Sequence, residues 1–304
     1  MLKSIEDGTP TREVENMTFP FPNKMFFAKS SYEDADYVVF GVPYDGTATF
    51  RKGTRFGPAG IRADCAINFE RYLYDYRLHL DDVKAYDEGD LEMNVSSPEE
   101  MIARVSKYSK KLVSDGKFPI MLGGEHSITP AVATAFDDIA VLGIDAHGDS
   151  RDEFEGSKNN HGCAMRRIMD KFGEDRVMWV GVRALDKSEH ESSAKFIDSL
   201  SILKNGIDWT ISKIKKDLPY DRIYLSLDID GIDPAFAPGT GTPEPYGLHP
   251  FDVKQIINAF APKMVGFDVV EVSPPLDDNG ITTILGARMV CDVVGATYTS
   301  RIRQ

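Results

Sequence analysis

Short, almost wholly apolar runs alternate with longer amphipathic segments along most of the chain. Runs such as YVVFGV, FPIML and RIYLSL carry apolar side chains in nearly every position, so neither face of such a strand faces water. Strands buried on both faces are typical of parallel sheets covered by helices. The pattern therefore predicts an α/β fold with a mainly parallel sheet covered on both faces.

The predicted elements follow from this alternation and from helix-start signals such as the SSPEE run. We predict strands at residues 37–42, 83–86, 118–122, 139–144, 176–182, 222–227 and 264–270, and helices at residues 98–114, 129–136, 161–171, 208–216, 250–259 and 281–302. Residues 43–58 are predicted to form a long Gly-rich loop.

The organisation of the chain favours one domain. The 304 residues contain no repeat, low-complexity tract or linker, so we expect a single domain over 1–304, with an N-terminal extension (1–36) and a core (37–304). Three cysteines (Cys65, Cys163 and Cys291) lack CxxC spacing, which favours a reducing cytoplasm.

Charge and hydropathy exclude some classes of partner. The net charge of −13 argues against a nucleic-acid partner and weakly favours a cationic small molecule or metal ions. We expect no membrane partner, since no run approaches the roughly 18 apolar residues of a membrane span.

Three potential metal ligands follow the run VLGI at every second position. If the backbone stayed extended, Asp145, His147 and Asp149 would point to one face and converge on a point suited to a divalent cation. A polar loop with no metal is the alternative, because Asp-rich loops are common in turns.

Acids and histidines follow several other predicted strands in the same way. His126, Asp228, Asp230 and Glu271 all lie at carboxyl ends of strands, where α/β sheets bind ligands. Two histidines and four aspartates exceed what one metal needs, so they suggest two ions sharing carboxylates. Mixed oxygen and imidazole ligands suit Mn²⁺ or a similar borderline-hard cation. Two metal ions held close together in this way activate a water molecule.

Four motifs together resemble those of the ureohydrolase (arginase/agmatinase) family. They are LGGEHSITPA, IDAHGDSRDEFEGSKNNHG, SLDIDGIDPAFAPGTGTPEP and DVVEVSPPLD, and the upstream run GVPYDGTATFRKGTRFGPAGIR resembles the family's N-terminal loop region. The resemblance covers residues 37–295. It implies an arginase-like three-layer α/β/α fold, two Mn²⁺ ions per subunit and a homo-oligomer, either a trimer or a hexamer.

The resemblance also implies a role for each matched residue. A metal-bound hydroxide would attack the guanidinium carbon of the substrate. Glu271 would pair with the guanidinium, as a carboxylate can, and His161 would transfer protons near the leaving amine. The implied ligands are His126, Asp145, Asp149 and Asp228 for one ion, and His147, Asp145, Asp228 and Asp230 for the other.

Two residues in or next to these motifs are expected to have no direct part in metal binding or in the chemistry. The family motif usually has GGDHS, whereas this chain has GGEHS, so Glu125 is expected to accept hydrogen bonds rather than to bind metal. Cys163, close to His161, is expected to be a buried thiol rather than a nucleophile.

The loop SRDEFEGSKNN bears on the substrate and resembles the agmatinase branch. Asp152, Glu153 and Glu155 could attract cationic agmatine, which would give putrescine and urea and place the enzyme in polyamine biosynthesis. Arg151 would instead favour an acidic tail, unless a neighbouring acid such as Asp152 or Glu153, or another subunit, neutralises it. We therefore predict that Arg151 and Asp152 lie near the substrate, with agmatine favoured over 4-guanidinobutyrate, arginine and N-formimino-glutamate.

Two alternative hypotheses assign the chain to other functional classes. The chain could be a catalytically silent, metal-binding regulatory member, although it retains the full ligand set. It could also be a binuclear phosphatase, but such a site needs basic groups for phosphate, and the motifs supply Glu271 instead.

Overall fold

The computed structural model describes residues 24–68, 70–93, 95 and 97–302. Most of the predicted N-terminal extension, residues 1–23, therefore lies outside the described part. The strands are β1 (Tyr37–Gly41), β2 (Tyr72–Leu73), β3 (Leu78–His79), β4 (Ala85–Asp90), β5 (Phe118–Leu122), β6 (Ala140–Ile144), β7 (Val177–Val182), β8 (Lys195–Asp198), β9 (Ile223–Asp228) and β10 (Met264–Val270). The helices are α1 (Gly57–Asn68), α2 (Pro98–Ser114), α3 (Thr129–Ala133), α4 (Ala164–Phe172), α5 (Lys187–His190), α6 (Ser199–Asn205), α7 (Ile207–Asp217), α8 (Pro250–Phe260) and α9 (Ile281–Ile302).

Eight of these strands form one sheet in the order β4-β1-β5-β10-β9-β6-β7-β8. Each pairing between neighbouring strands in it is parallel. Strands β2 and β3 form a separate antiparallel pair. The mainly parallel sheet predicted from the apolar runs is therefore confirmed.

Helices cover both faces of the sheet because successive strand side chains point to opposite faces. In β6, Leu142 belongs to one hydrophobic core, which α1, α6, α7, α8 and α9 complete. Its neighbour Val141 belongs to the other core, beneath α2, α3 and α4. The result is the three-layer α/β/α fold.

Elements α2, β5, β10 and α9 have the predicted bounds, whereas the short elements β2, β3, β8, α5 and α6 were not predicted. In α2 the Ser97 Oγ accepts a hydrogen bond from Glu100 N at 3.3 Å, as expected of an N-cap. Helix α1 was not predicted, and it begins inside the predicted loop 43–58. Its sequence has two glycines and a weak apolar stripe, and Ile61 and Cys65 are held by packing against α9.

Part of the predicted N-terminal extension is buried. Met25 and Phe27 belong to the same hydrophobic core cluster as residues of α9. Among the described residues, no helix has the length and apolarity needed to cross a membrane.

The topology places the predicted site residues together. Strands β5, β10, β9 and β6 are consecutive neighbours at the centre of the sheet. His126 follows β5, Glu271 follows β10, Asp228 and Asp230 lie at the end of β9, and Asp145 follows β6. All of these residues therefore meet at the carboxyl edge of the sheet, as the sequence predicted.

Candidate metal centre

A first group of ligands surrounds the Nδ1 atom of His126. That atom lies 3.2 Å from Asp145 Oδ2, 3.0 Å from Asp149 Oδ2 and 3.3 Å from Asp228 Oδ2. His126 and Asp145 are fully buried. One imidazole nitrogen and three carboxylate oxygens thus point at one small volume, which is the ligand chemistry of a divalent cation.

A second group lies beside the first and centres on His147. Its Nδ1 is 3.0 Å from Asp230 Oδ2 and 3.7 Å from Asp145 Oδ1. The two oxygens of Asp145 therefore approach different histidines, which is the arrangement needed for a carboxylate shared between two ions. Asp228 directs Oδ2 to the first group, while its Oδ1 accepts a hydrogen bond from Asp230 N at 2.9 Å.

The backbone after β6 positions its three ligands differently from the predicted extended strand. Extended pairing continues only as far as His147, which forms an isolated bridge with Ala184. Asp149 then adopts a left-handed conformation with φ of 45°, and its carbonyl accepts a hydrogen bond from Met165 N at 2.9 Å. The three side chains do not all meet at one point: Asp145 and Asp149 approach His126, whereas His147 belongs to the second group with Asp145 and Asp230. The left-handed turn at Asp149 costs roughly 1–2 kcal/mol.

The electrostatics of the two groups call for cations. Burial, followed by repulsion from Asp230 and Asp145, raises the pKa of Asp228 well above its usual range. Burial opposes charge on His126, but its contacts with Asp145, Asp149 and Asp228 outweigh burial and raise the pKa of the ring well above normal.

Two buried atoms at the centre have no hydrogen-bond partner among the described residues. They are His126 Nδ1 and Asp145 Oδ2, and such atoms are costly to bury unless a ligand binds them. Carboxylates that repel one another lie here beside buried nitrogen and oxygen atoms that have no hydrogen-bond partner. This arrangement fits a pair of divalent cations. The family fold implies such a binuclear site, for which this structure supplies the candidate ligands.

A buried relay that the sequence analysis missed orients His126. The ring Nε2 lies 3.2 Å from Ser226 Oγ, which donates to Asp268 Oδ1 at 2.6 Å. Tyr224 Oη donates to the other oxygen of Asp268 at 2.7 Å. Since the Ser226 proton points to Asp268, Nε2 supplies the proton to Ser226, and once the ring is neutral its lone pair is on Nδ1, where a metal could bind. A lone acid in the apolar run GFDVV was the available signal for Asp268.

Glu271 is the predicted guanidinium-binding acid, and the structure holds it in a strained position. Its φ is 62°, a region that non-glycine residues rarely adopt. The carboxylate Oε1 accepts a hydrogen bond from His126 N at 2.8 Å. Burial, followed by the charge of Glu125, raises the pKa of Glu271 well above its usual range. A cation placed beside Glu271 would relieve this cost.

A cavity of about 420 Å³ opens beside both ligand groups. Four of the six predicted ligands line it, together with Glu271, His161 and Arg151. His161 begins a 3₁₀ turn that leads into α4, and its Nδ1 lies 2.9 Å from the carbonyl oxygen of Thr47. Predicted metal, acid and proton-transfer residues therefore share one cavity.

Of the two predicted substrate-binding residues Arg151 and Asp152, only Arg151 lines the cavity. Arg151 Nε lies 3.5 Å from Glu189 Oε2, and its guanidinium stacks over Phe154 at 4.5 Å. Arg151 is thus neutralised, but by Glu189 rather than by the acids proposed from sequence. Asp152 is not at the cavity wall, and its carboxylate binds Arg167 at 2.7 Å and Lys158 at 3.0 Å instead. A direct contact between Asp152 and the substrate therefore stays a prediction, which these ion pairs do not favour.

Further contacts were not predicted. Glu189 is buried and accepts hydrogen bonds from Ser150 N at 2.9 Å and Asp186 N at 3.0 Å. Glu244 Oε1 lies 4.0 Å from the second nitrogen of His147. Their signals were a capping-box pattern, DKSE, and an acid in the run PGTGTPEP. Cys163 is a free, buried thiol, as the sequence suggested.

Comparison with known proteins gives consistent matches. A model of the arginase family matches residues 35–295. An agmatinase from Bacillus anthracis is 33% identical over 88% of this chain and 94% of its own length. A guanidinobutyrase from Pseudomonas aeruginosa is 32% identical over 85% of each chain. The crystal structure of agmatine ureohydrolase from Thermoplasma volcanium superposes with a TM-score of 0.88 at 40% identity, covering 93% of this chain and 96% of that one.

Proposed function

The chain belongs to the arginase family, and from that premise we propose that it hydrolyses agmatine to putrescine and urea. The observation that carries this proposal is the meeting of two ligand groups, Glu271 and His161 at one cavity. Relatives that match most of the chain are agmatinases, which supports the same substrate.

We assign the six converging side chains to two Mn²⁺ ions. His126, Asp149 and Asp228 would hold one ion and His147 and Asp230 the other, with Asp145 and Asp228 shared between the two. Two bound metal ions would lower the pKa of a water molecule and so supply a nucleophile at neutral pH.

Protein side chains would bind the guanidinium in a fixed orientation and transfer protons during the reaction. The Glu271 carboxylate can accept N–H groups of the planar cation and fix its orientation. His161 would carry a proton to the departing amine, because its ring lines the same cavity.

The charges on the cavity wall away from the metal ligands favour a substrate with a cationic tail. Its cation, Arg151, is paired with Glu189, and the Asp186 carboxylate also lines the wall. Hydrogen bonds from the Ser188 side chain and backbone lower the pKa of Asp186, so this acid stays ionised at neutral pH. An ammonium tail such as that of agmatine would meet negative charge here.

Manganese as the ion, a cytoplasmic location, a part in polyamine biosynthesis and assembly into a trimer or hexamer complete the proposal. They rest on the family resemblance and on the scattered cysteines.

A substrate panel tests the proposal. Mn²⁺-loaded protein would be assayed for urea release from agmatine, arginine, 4-guanidinobutyrate and 3-guanidinopropionate, with formamide or ammonia followed for N-formimino-glutamate. We expect kcat/KM for agmatine to exceed that for every other compound by at least about tenfold, equivalent to about 1.4 kcal/mol. Preference for 4-guanidinobutyrate would contradict the assignment.

A matched pair of arginine variants separates the two substrates further. Arg151→Met should leave agmatine as the preferred substrate, since Arg151 is paired with Glu189. Arg166→Met is the control, because Arg166 pairs with Asp170 on the outside of α4. A preference for 4-guanidinobutyrate that disappears only in Arg151→Met would make Arg151 the residue that binds an acidic tail.

A further inference from the structure

We propose that Glu125 is a positioning residue that holds His161, through Thr47, in a single tautomer. This inference rests on the proposed function only in giving His161 a proton-transfer role. The geometry itself is independent of the substrate. Glu125 occupies the position where the resembled family motif usually has aspartate.

The Glu125 carboxylate is fully buried and holds Thr47 at two points. Its Oε2 accepts a hydrogen bond from Thr47 N at 2.8 Å, and its Oε1 accepts one from Thr47 Oγ1 at 2.5 Å. Ser127 Oγ also donates to Oε1, at 2.6 Å. These are charge-assisted hydrogen bonds, which are shorter and stronger than neutral ones. The loop after β1 is therefore fixed to the turn after β5.

Thr47 in turn holds His161 at two points. The Thr47 carbonyl oxygen lies 2.9 Å from His161 Nδ1, and Thr47 Oγ1 accepts a hydrogen bond from His161 N at 3.0 Å. A carbonyl oxygen can only accept, so Nδ1 carries the proton. In the neutral ring the lone pair is then on Nε2. The tautomer of His161 is thus set by a contact that Glu125 keeps in place.

The length of the glutamate side chain matters for this arrangement. Both of its oxygens are within hydrogen-bonding distance of Thr47, one from the backbone and one from the side chain. Aspartate is shorter by one C–C bond, about 1.5 Å. From the same backbone position it would place at least one contact beyond the usual 2.7–3.2 Å range for N–H donors.

Gly124 and His126, which flank Glu125 in the turn after β5, contact other parts of the site. Gly124 has no room for a Cβ, which would lie 1.9 Å from Tyr44 O. The Gly124 carbonyl accepts from Glu271 N at 2.8 Å, and the His126 side chain belongs to the ligand groups. The Glu125 side chain binds Thr47 and Ser127, neither of which is a candidate metal ligand, so its effect on His161 can be separated from metal binding.

Nitrogen NMR of the full chain tests the inference directly. Protein labelled with ¹⁵N-histidine and loaded with diamagnetic Mg²⁺ would report the protonated nitrogen of each of its six histidines. His161→Asn would assign the signal. We expect wild-type His161 to be protonated at Nδ1, and we expect Glu125→Asp and Thr47→Val to show a mixture of both tautomers.

Kinetics on the Mn²⁺-loaded enzyme provide the second readout. For Glu125→Asp and Thr47→Val we expect kcat to fall about tenfold to a hundredfold, below the full value of general acid–base catalysis, with KM and metal content unchanged. Thr47→Ser, which keeps the hydroxyl, should restore most of the loss. Ser127→Ala is the matched control, because it removes a donor to Glu125 but touches neither Thr47 nor His161.

The outcomes separate this inference from the proposed function. An unchanged Nδ1-protonated signal in both Glu125→Asp and Thr47→Val would overturn the inference, whatever the activity. An equal loss in Ser127→Ala would also overturn it by indicating a general packing effect. A wild-type enzyme that hydrolyses no guanidino compound would refute the proposed function, while the NMR result would still decide the role of Glu125. If Glu125→Asp fails to fold, Thr47→Val carries the test.

Discussion

The backbone N–H of His126 donates to Glu271 Oε1 at 2.8 Å, while the ring of the same His126 belongs to the metal-ligand groups. One residue thereby links the candidate metal centre to the acid assigned to the guanidinium. The contact spans 145 residues of sequence and joins the ends of the neighbouring strands β5 and β10. The separation between His126 and the Glu271 carboxylate is thus set by the sheet itself.

Replacing Glu271 with glutamine should weaken the enzyme without emptying the metal centre. The amide keeps the acceptor for His126 N but loses the charge that binds a guanidinium. A hydrogen bond to a charged group contributes about 1.5–3 kcal/mol, so kcat/KM should fall about tenfold to 150-fold. Steady-state kinetics and metal analysis on the same samples would check this. Unchanged turnover would contradict the role of Glu271.

Breaking the relay behind His126 should lower metal affinity. Asp268→Asn can turn its amide toward Ser226 and so disturb the proton on His126 Nε2. Loss of such outer contacts typically costs tenfold to a hundredfold in metal affinity, and we expect a similar weakening of Mn²⁺ binding. Calorimetric titration would measure it. Tyr224→Phe removes only the far donor and should have a smaller effect, so equal losses would contradict the relay.

Metal binding should weaken as the pH falls. Without ions, the raised pKa of Asp228 and of His126 means that both groups hold protons that a metal must displace. Each proton released makes affinity rise by up to tenfold per pH unit, until the pH exceeds the raised pKa. Calorimetry in buffers of different ionisation enthalpy would count the protons. Affinity that does not vary between pH 6 and 8 would contradict these shifts.

Single-ligand variants should lose metal in a pattern set by the geometry. Asp145 faces both histidines, so Asp145→Asn should deplete both ions. Asp149 contacts only the first group and Asp230 the second, so Asp149→Asn and Asp230→Asn should each retain close to one ion. Metal analysis after dialysis would give the number of ions per chain. A full complement in Asp145→Asn would argue against a shared carboxylate.

The sequence allowed us to predict which acids and histidines gather at one edge of the sheet because residues at strand ends are local features. Asp145 and Asp228 stand at the ends of apolar runs, and a parallel sheet must gather such ends at one edge. The turn at Asp149 could not be predicted in the same way. Its positive φ is imposed by contacts with α4, which belong to the tertiary structure.

Contacts between distant segments explain what the sequence left out. Helix α1 is stabilised by packing on α9, not by its own weak amphipathic pattern. Glu189 neutralises Arg151 from 38 positions further along the chain, a distance at which no local rule applies. Thr47 looks like any loop threonine in the sequence, and its role emerges only when β1 and β5 are adjacent.

The most direct test of the account is urea release from agmatine as a function of bound metal. Chelator-treated protein would receive Mn²⁺ in steps, and ions per chain and urea formation would be measured on the same aliquots. The account predicts negligible activity without metal and a plateau at two ions per chain. Full activity in metal-free protein, or no urea with two ions bound, would contradict it.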